Sequence, residues 1–89
     1  MGEGSTPEHP VWWHWPVLTS GHLVDRMVDR RISEADLREM LEDAIGVRRG
    51  ARTGRWVAEC RWRGEHWEVV LEPDKTSHTT VAVTAYRIR

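Results

Sequence analysis

The sequence predicts an α+β domain: two N-terminal helices packed on one face of a three- to four-stranded antiparallel sheet. Two pattern changes and one length carry this expectation. Apolar residues recur at helical spacing from Leu23 to Ile45, then alternate with polar ones from Arg55 onward. The chain has 89 residues, enough for one modest core and too few for two domains.

The elements follow in order. Residues 1–10, MGEGSTPEHP, mix Gly, Ser, Pro and charge without periodicity and read as a flexible tail before a single domain over 11–89. In VWWHWPV, Pro10 and Pro16 bias their predecessors to extended backbone, so residues 11–17 read as a short strand or a tethered extended arm. Thr19 or Ser20 caps a first helix reaching about Arg30, with Leu23, Val24, Met27 and Val28 on its apolar face. Ser33-Glu34-Ala35-Asp36 is a capping box with Asp in place of Glu or Gln, and Ile32 and Leu37 form its hydrophobic staple. Leu37, Met40, Leu41, Ala44 and Ile45 continue one stripe, with Gly46 as the stop.

Beyond Gly46 the period becomes two. Val47–Arg49 can add a short leading strand before the Gly50–Gly54 loop. From Arg55 to Arg63, Trp56, Ala58, Cys60 and Trp62 face one way, opposite Arg55, Val57, Glu59, Arg61 and Arg63. Gly64-Glu65 reads as a type II′ hairpin turn. Trp67, Val69 and Leu71 point inward from the next strand, Pro73-Asp74-Lys75 turns, and Thr79–Tyr86 is a β-branched third strand.

Composition narrows the function classes. Thirteen basic residues against fourteen acidic ones give a net charge of −1, which excludes a uniformly basic nucleic-acid coat. The charge is nevertheless divided. Residues 1–47 hold four arginines against nine acids, and residues 48–89 hold nine basic groups against five acids. One cysteine, Cys60, rules out an internal disulfide and points to a reducing, cytoplasmic setting. It lies on the tryptophan face of its strand and reads as a buried thiol. No apolar run is long enough for a membrane span, so no membrane partner is expected. The five histidines and Cys60 form no Cys-x-x-Cys and no His-x-x-x-His pair, so neither a metal nor another cofactor is expected.

The segment His22-Leu-Val-Asp-Arg26-Met-Val-Asp-Arg30-Arg-Ile32-Ser33-Glu34 resembles the His-x-x-x-Arg-Met-x-x-Arg-Gly-Ile-Ser-Glu opening of a widespread bacterial family labelled a domain of unknown function. The later order is similar too: an acidic helix, a strand meander and a last strand ending Thr84-Ala85-Tyr86. The likeness covers about residues 20–87 and departs at Arg31, where the family has Gly. That family resembles the small RelE- and BrnT-like toxins. The resemblance implies a RelE/barnase-like scaffold and a metal-independent endoribonuclease, neutralised by an antitoxin. It also implies His22, Arg26, Arg30 and Tyr86 as catalytic residues.

Metal-free RNA cleavage needs a base for the 2′-hydroxyl, cations for the phosphorane and a proton for the leaving oxygen, which histidine and arginine can supply. His22, Arg26 and Arg30 share one helical stripe. Taken as residues alone, that stripe is most simply a solvated face with an Arg26–Asp29 pair; the resemblance brings the catalytic reading nearly level with it. Arg52, Arg55, Arg61 and Arg63 would be RNA contacts, and an acidic partner protein or a charge-guarded edge strand accounts for them equally. Trp12, Trp13 and Trp15 are candidate partner-binding residues, docked within the fold, in a homodimer or on another subunit. The alternative to the enzyme is a non-catalytic protein-interaction module on the same scaffold.

Overall fold

The computed structural model describes residues 10–88, so the predicted tail, Pro10 apart, lies outside the described residues. A 3-10 turn over Val11–His14 leads into β1 (Val17–Thr19), α1 (Gly21–Arg30) and α2 (Glu34–Glu42). Four more strands follow: β2 (Ala44–Arg49), β3 (Trp56–Trp62), β4 (Glu65–Asp74) and β5 (Thr79–Ile88). All five strands form one sheet in the order β1-β5-β4-β3-β2. The α+β class with two helices on the sheet is as expected. The sheet itself is larger and mixed, because β1 precedes the helices and pairs parallel with β5.

The arm that was to be extended begins as a 3-10 turn: Trp13 N–H donates to Pro10 O at 2.9 Å and Trp15 N–H to Trp12 O at 3.0 Å. The chain then straightens at Trp15 and Pro16. Thr80 N–H donates to Pro16 O at 2.8 Å and Ser20 N–H to Ala82 O at 3.0 Å, zipping β1 onto the free edge of β5.

Ser20 is the α1 cap. Its Oγ accepts from Leu23 N–H at 3.0 Å and donates to Val83 O at 2.8 Å. Val83 is the extra residue of a β-bulge, since Leu71 faces Ala82 while Val70 faces Thr84. The cap therefore satisfies a carbonyl that the bulge removes from the ladder. Helix α1 closes in a Schellman motif: Ile32 N–H bonds Met27 O at 2.9 Å, and Arg31 N–H bonds Val28 O at 3.2 Å. Arg31 occupies the left-handed position at φ 58°. The Ser33–Asp36 capping box of α2 forms in full, and Ile32 and Leu37 are both buried as its staple requires.

Helix α2 ends at Glu42, before the predicted Gly46 stop. Ala44 and Gly46 already pair with β3, and the irregularity between them leaves Ile45 exposed. Helical periodicity and strand start overlap at these residues, and pairing with β3 wins. The β3–β4 turn is Arg63-Gly64, with φ of 51° and 78°, so it is type I′ instead of the expected Gly64-Glu65 type II′. Moving the turn by one residue shifts the register by two, which keeps every face and changes only the cross-strand partners: Cys60 faces Trp67, and Arg61 faces His66. Pro73 lies within β4, opposite Thr80 and beyond the end of its pairing with β3, so its missing N–H interrupts no ladder bond.

The core lies between the helices and one sheet face: Leu23, Met27, Leu37 and Met40 pack with Trp62, Trp67, Val69 and Leu71. Only half of the predicted α1 face is buried, because Val24 and Val28 stay exposed. The sheet's other face carries the polar residues of β3 and β4.

Candidate functional site

Three places collect chemistry: the open sheet face, a cleft at one end of the core layer, and a groove at the other end.

On the open face, antiparallel register sets Glu59 opposite Glu68 and Arg61 opposite His66. Arg48 Nη2 donates to Glu68 Oε2 at 3.0 Å, and Tyr86 Oη donates to Glu68 Oε1 at 2.8 Å. Burial raises the Glu68 carboxyl, but the Tyr86 and Arg48 donors together outweigh it and hold the group below its ordinary value. The bond to Glu68 raises both Tyr86 and Arg48. Glu59, His66 and Glu68 bring ligand atoms within 4.8 Å of one another, a donor set that suits a divalent metal. Arg48, however, lies 3.0 Å from Glu68 and 3.7 Å from Glu59, so a cation already reaches both carboxylates and would repel an ion there.

The cleft is formed where α1 ends and the β3–β4 hairpin turns. It has a volume of about 480 Å³, and among the described residues Arg30, Arg31, Arg63 and Arg87 line it with a single carboxylate, Glu65. Trp62 and Trp67 form its floor, edge to face at 6.1 Å and 80°. Each arginine arrives from a different constraint. Arg30 ends α1, where the helix dipole favours a cation, and its Nη1 donates to Ala85 O at 3.3 Å. Arg31 follows in the left-handed cap. Arg63 leaves the strand face at its positive φ and lies over the Trp62 ring, 4.2 Å from the centroid. Arg87 Nη1 donates to Glu65 Oε2 at 2.7 Å, and Trp67 Nε1 donates to the other oxygen at 3.3 Å.

The Arg63 guanidinium is only lightly engaged, whereas Glu65 holds Arg87. Arg63 lies 3.6 Å from Asp36 and is two-thirds exposed, at 67%; such surface pairs are worth about 0–1 kcal/mol. A phosphate, which takes two parallel N–H donors from one guanidinium, can replace them. A guanidinium already stacked on an indole also offers a flat face to an unpaired base.

Of the residues expected to be catalytic, the structure brings Arg30 into this cleft and leaves the others outside. His22 is exposed in the first turn of α1, eight residues and thus roughly 12 Å along the axis from Arg30. Arg26 flanks the shallow seam between α1 and Ala85, and the expected Arg26–Asp29 pair does not form among the described residues. Tyr86 is on the opposite sheet face, so the four do not make one site. The bulge at Val83 is the reason, because it reverses the alternation of every later β5 residue.

The expected RNA contacts divide as well. Arg63 reaches the cleft. Arg55 is on the open face, paired with Glu72 at 3.0 Å, and Arg61 is exposed there. Arg52 is exposed in the loop before β3, a strand length of roughly 20 Å from Arg63. Sequence reasoning missed Arg31, Glu65 and Arg87, which are far apart in the chain and meet only through the hairpin and the Schellman turn. Trp62 and Trp67, which alternation sets on the inward faces of their strands, are both buried.

The groove at the opposite end has a volume of about 560 Å³. Trp12 and Trp13 line it, Trp12 being buried against Trp56 at 5.4 Å. Trp15 instead stacks on His78 at 4.9 Å. Two of the three tryptophans expected to bind a partner are thus walls of one concave surface, and the third clamps the arm to the β4–β5 turn.

Compared with protein-family models, curated proteins and solved structures, the chain matches none of them.

Proposed function

We propose that the chain is a toxin-type, metal-independent endoribonuclease acting in the cytoplasm, and that the arginine cleft binds and cleaves RNA. The observation that carries this reading is the convergence, among the described residues, of four guanidiniums from three parts of the fold on one 480 Å³ cleft with a single carboxylate. The likeness of the His22–Glu34 segment to a family resembling RelE- and BrnT-like toxins supports it. In this reaction Glu65 takes the proton of a ribose 2′-hydroxyl, whose oxygen then attacks the adjacent phosphorus. Arg30, Arg63 and Arg87 stabilise the charge that grows on the phosphorane. The bond to the 5′ oxygen breaks, leaving a 2′,3′-cyclic phosphate, and solvent protonates the departing oxygen. A cognate antitoxin with an acidic segment would neutralise the cleft.

The second reading, a non-catalytic interaction module in a complex or a homodimer, is favoured by Val24 and Val28. They are 43% and 74% exposed and lie one turn apart on α1, as partner-facing apolar residues would.

RNA cleavage in EDTA separates the two. Wild-type protein is expected to cut single-stranded RNA, Glu65→Gln to lose cleavage while still binding, and Arg30→Ala to weaken both. His22→Ala should retain most activity. A folded wild-type protein that neither binds nor cuts a broad RNA panel overturns the enzyme reading and leaves the interaction module.

A further inference from the structure

The groove at the far end of the core layer holds two polar atoms with no hydrogen-bond partner among the described residues. Trp12 Nε1 and Thr80 Oγ1 are buried without a hydrogen bond, on side chains only 6% and 1% exposed, and both residues line the groove. A buried tryptophan normally finds an acceptor for its N–H, and leaving a buried donor unmatched is costly. The rest of the lining is mostly apolar, with Trp13, Val17, Leu41 and Leu71 beside the polar His14, Arg38 and Glu42. The volume, about 560 Å³, lies within the range of small-molecule sites, roughly 300–1,000 Å³. An indole N–H only donates, and a threonine hydroxyl donates whenever an acceptor is offered. Both orphans therefore ask for the same complement.

We propose that this groove binds a small, flat, apolar ligand bearing a carbonyl or carboxylate oxygen, which accepts from Trp12 Nε1–H and the Thr80 hydroxyl. Both atoms lie under the groove surface, so binding requires the two side chains to turn toward the ligand. The site is separate from the arginine cleft and does not depend on the RNA reading.

Calorimetric titration of the full chain with three probes of one shape tests the proposal: 2-naphthoate, 2-acetylnaphthalene and 2-ethylnaphthalene. The two oxygen-bearing probes are expected to bind at least ten-fold more tightly than the hydrocarbon, and their ranking tells a carboxylate from a neutral carbonyl. Thr80→Val keeps the side-chain shape and should reduce that preference several-fold while leaving the hydrocarbon's affinity unchanged. Equal binding of all three probes, no saturable binding up to millimolar concentration, or a preference untouched by Thr80→Val overturns it.

Discussion

Single residues on the open sheet face show how far neighbours, more than position, decide chemistry. Glu68 is pushed up by burial and pulled further down by Tyr86 and Arg48. A carboxyl depressed in the folded state stabilises the fold above its unfolded value and loses that contribution as pH falls through its folded value. Glu68→Gln should therefore cost about 1–2 kcal/mol at pH 7. In denaturant titrations the gap to wild type should narrow by pH 3; an unchanged gap would mean that the bonds do not depend on its charge. Cys60 is fully buried, and burial pushes its thiol up to about 12. It should ignore an aromatic disulfide reagent at pH 8 in the native protein and react promptly in denaturant. The burial of Cys60 was legible from alternation alone. The face of Tyr86 was not, since one bulged residue, Val83, flips everything after it and leaves no mark in the sequence.

At the level of elements, what is local was readable and what is paired at a distance was not. Both helix caps and the Ile32–Leu37 staple follow from residues three to five apart. The three residues of β1 have no period to read, and their partners lie some sixty residues away on β5. The end of α2 was misplaced because Ala44 and Ile45 fit a helical stripe as well as a strand. Two positive-φ arginines carry a cost that the helix end and the turn impose. At Arg31, φ 58° suits glycine, and Arg31→Gly should raise stability by about 1 kcal/mol. Thermal or denaturant unfolding checks this, and a destabilised variant would show that the Arg31 side chain supports the fold.

Across the whole molecule, the sheet carries a concave surface at each end: an arginine cleft where β3, β4, β5 and α1 meet, and a mostly apolar groove under the N-terminal arm. The basic excess of residues 48–89 was visible in the sequence, but half of the cleft's arginines, Arg30 and Arg31, come from the acidic half. Their meeting is a property of the topology. If RNA is held there by phosphate contacts, affinity must fall with salt by a slope set by the number of phosphates engaged. The most direct test is fluorescence anisotropy of a short single-stranded RNA against salt, for wild type and Arg63→Asn. Asn-Gly is a preferred type I′ pair, so this variant keeps the hairpin while removing one charge. With three or four phosphates bound, the wild-type slope of log affinity on log salt should be about −2 to −3, and Arg63→Asn should be shallower by roughly 0.7 with an equal or higher Tm. Absence of saturable binding at low salt, or a slope that Arg63→Asn leaves unchanged, would contradict RNA binding at the cleft.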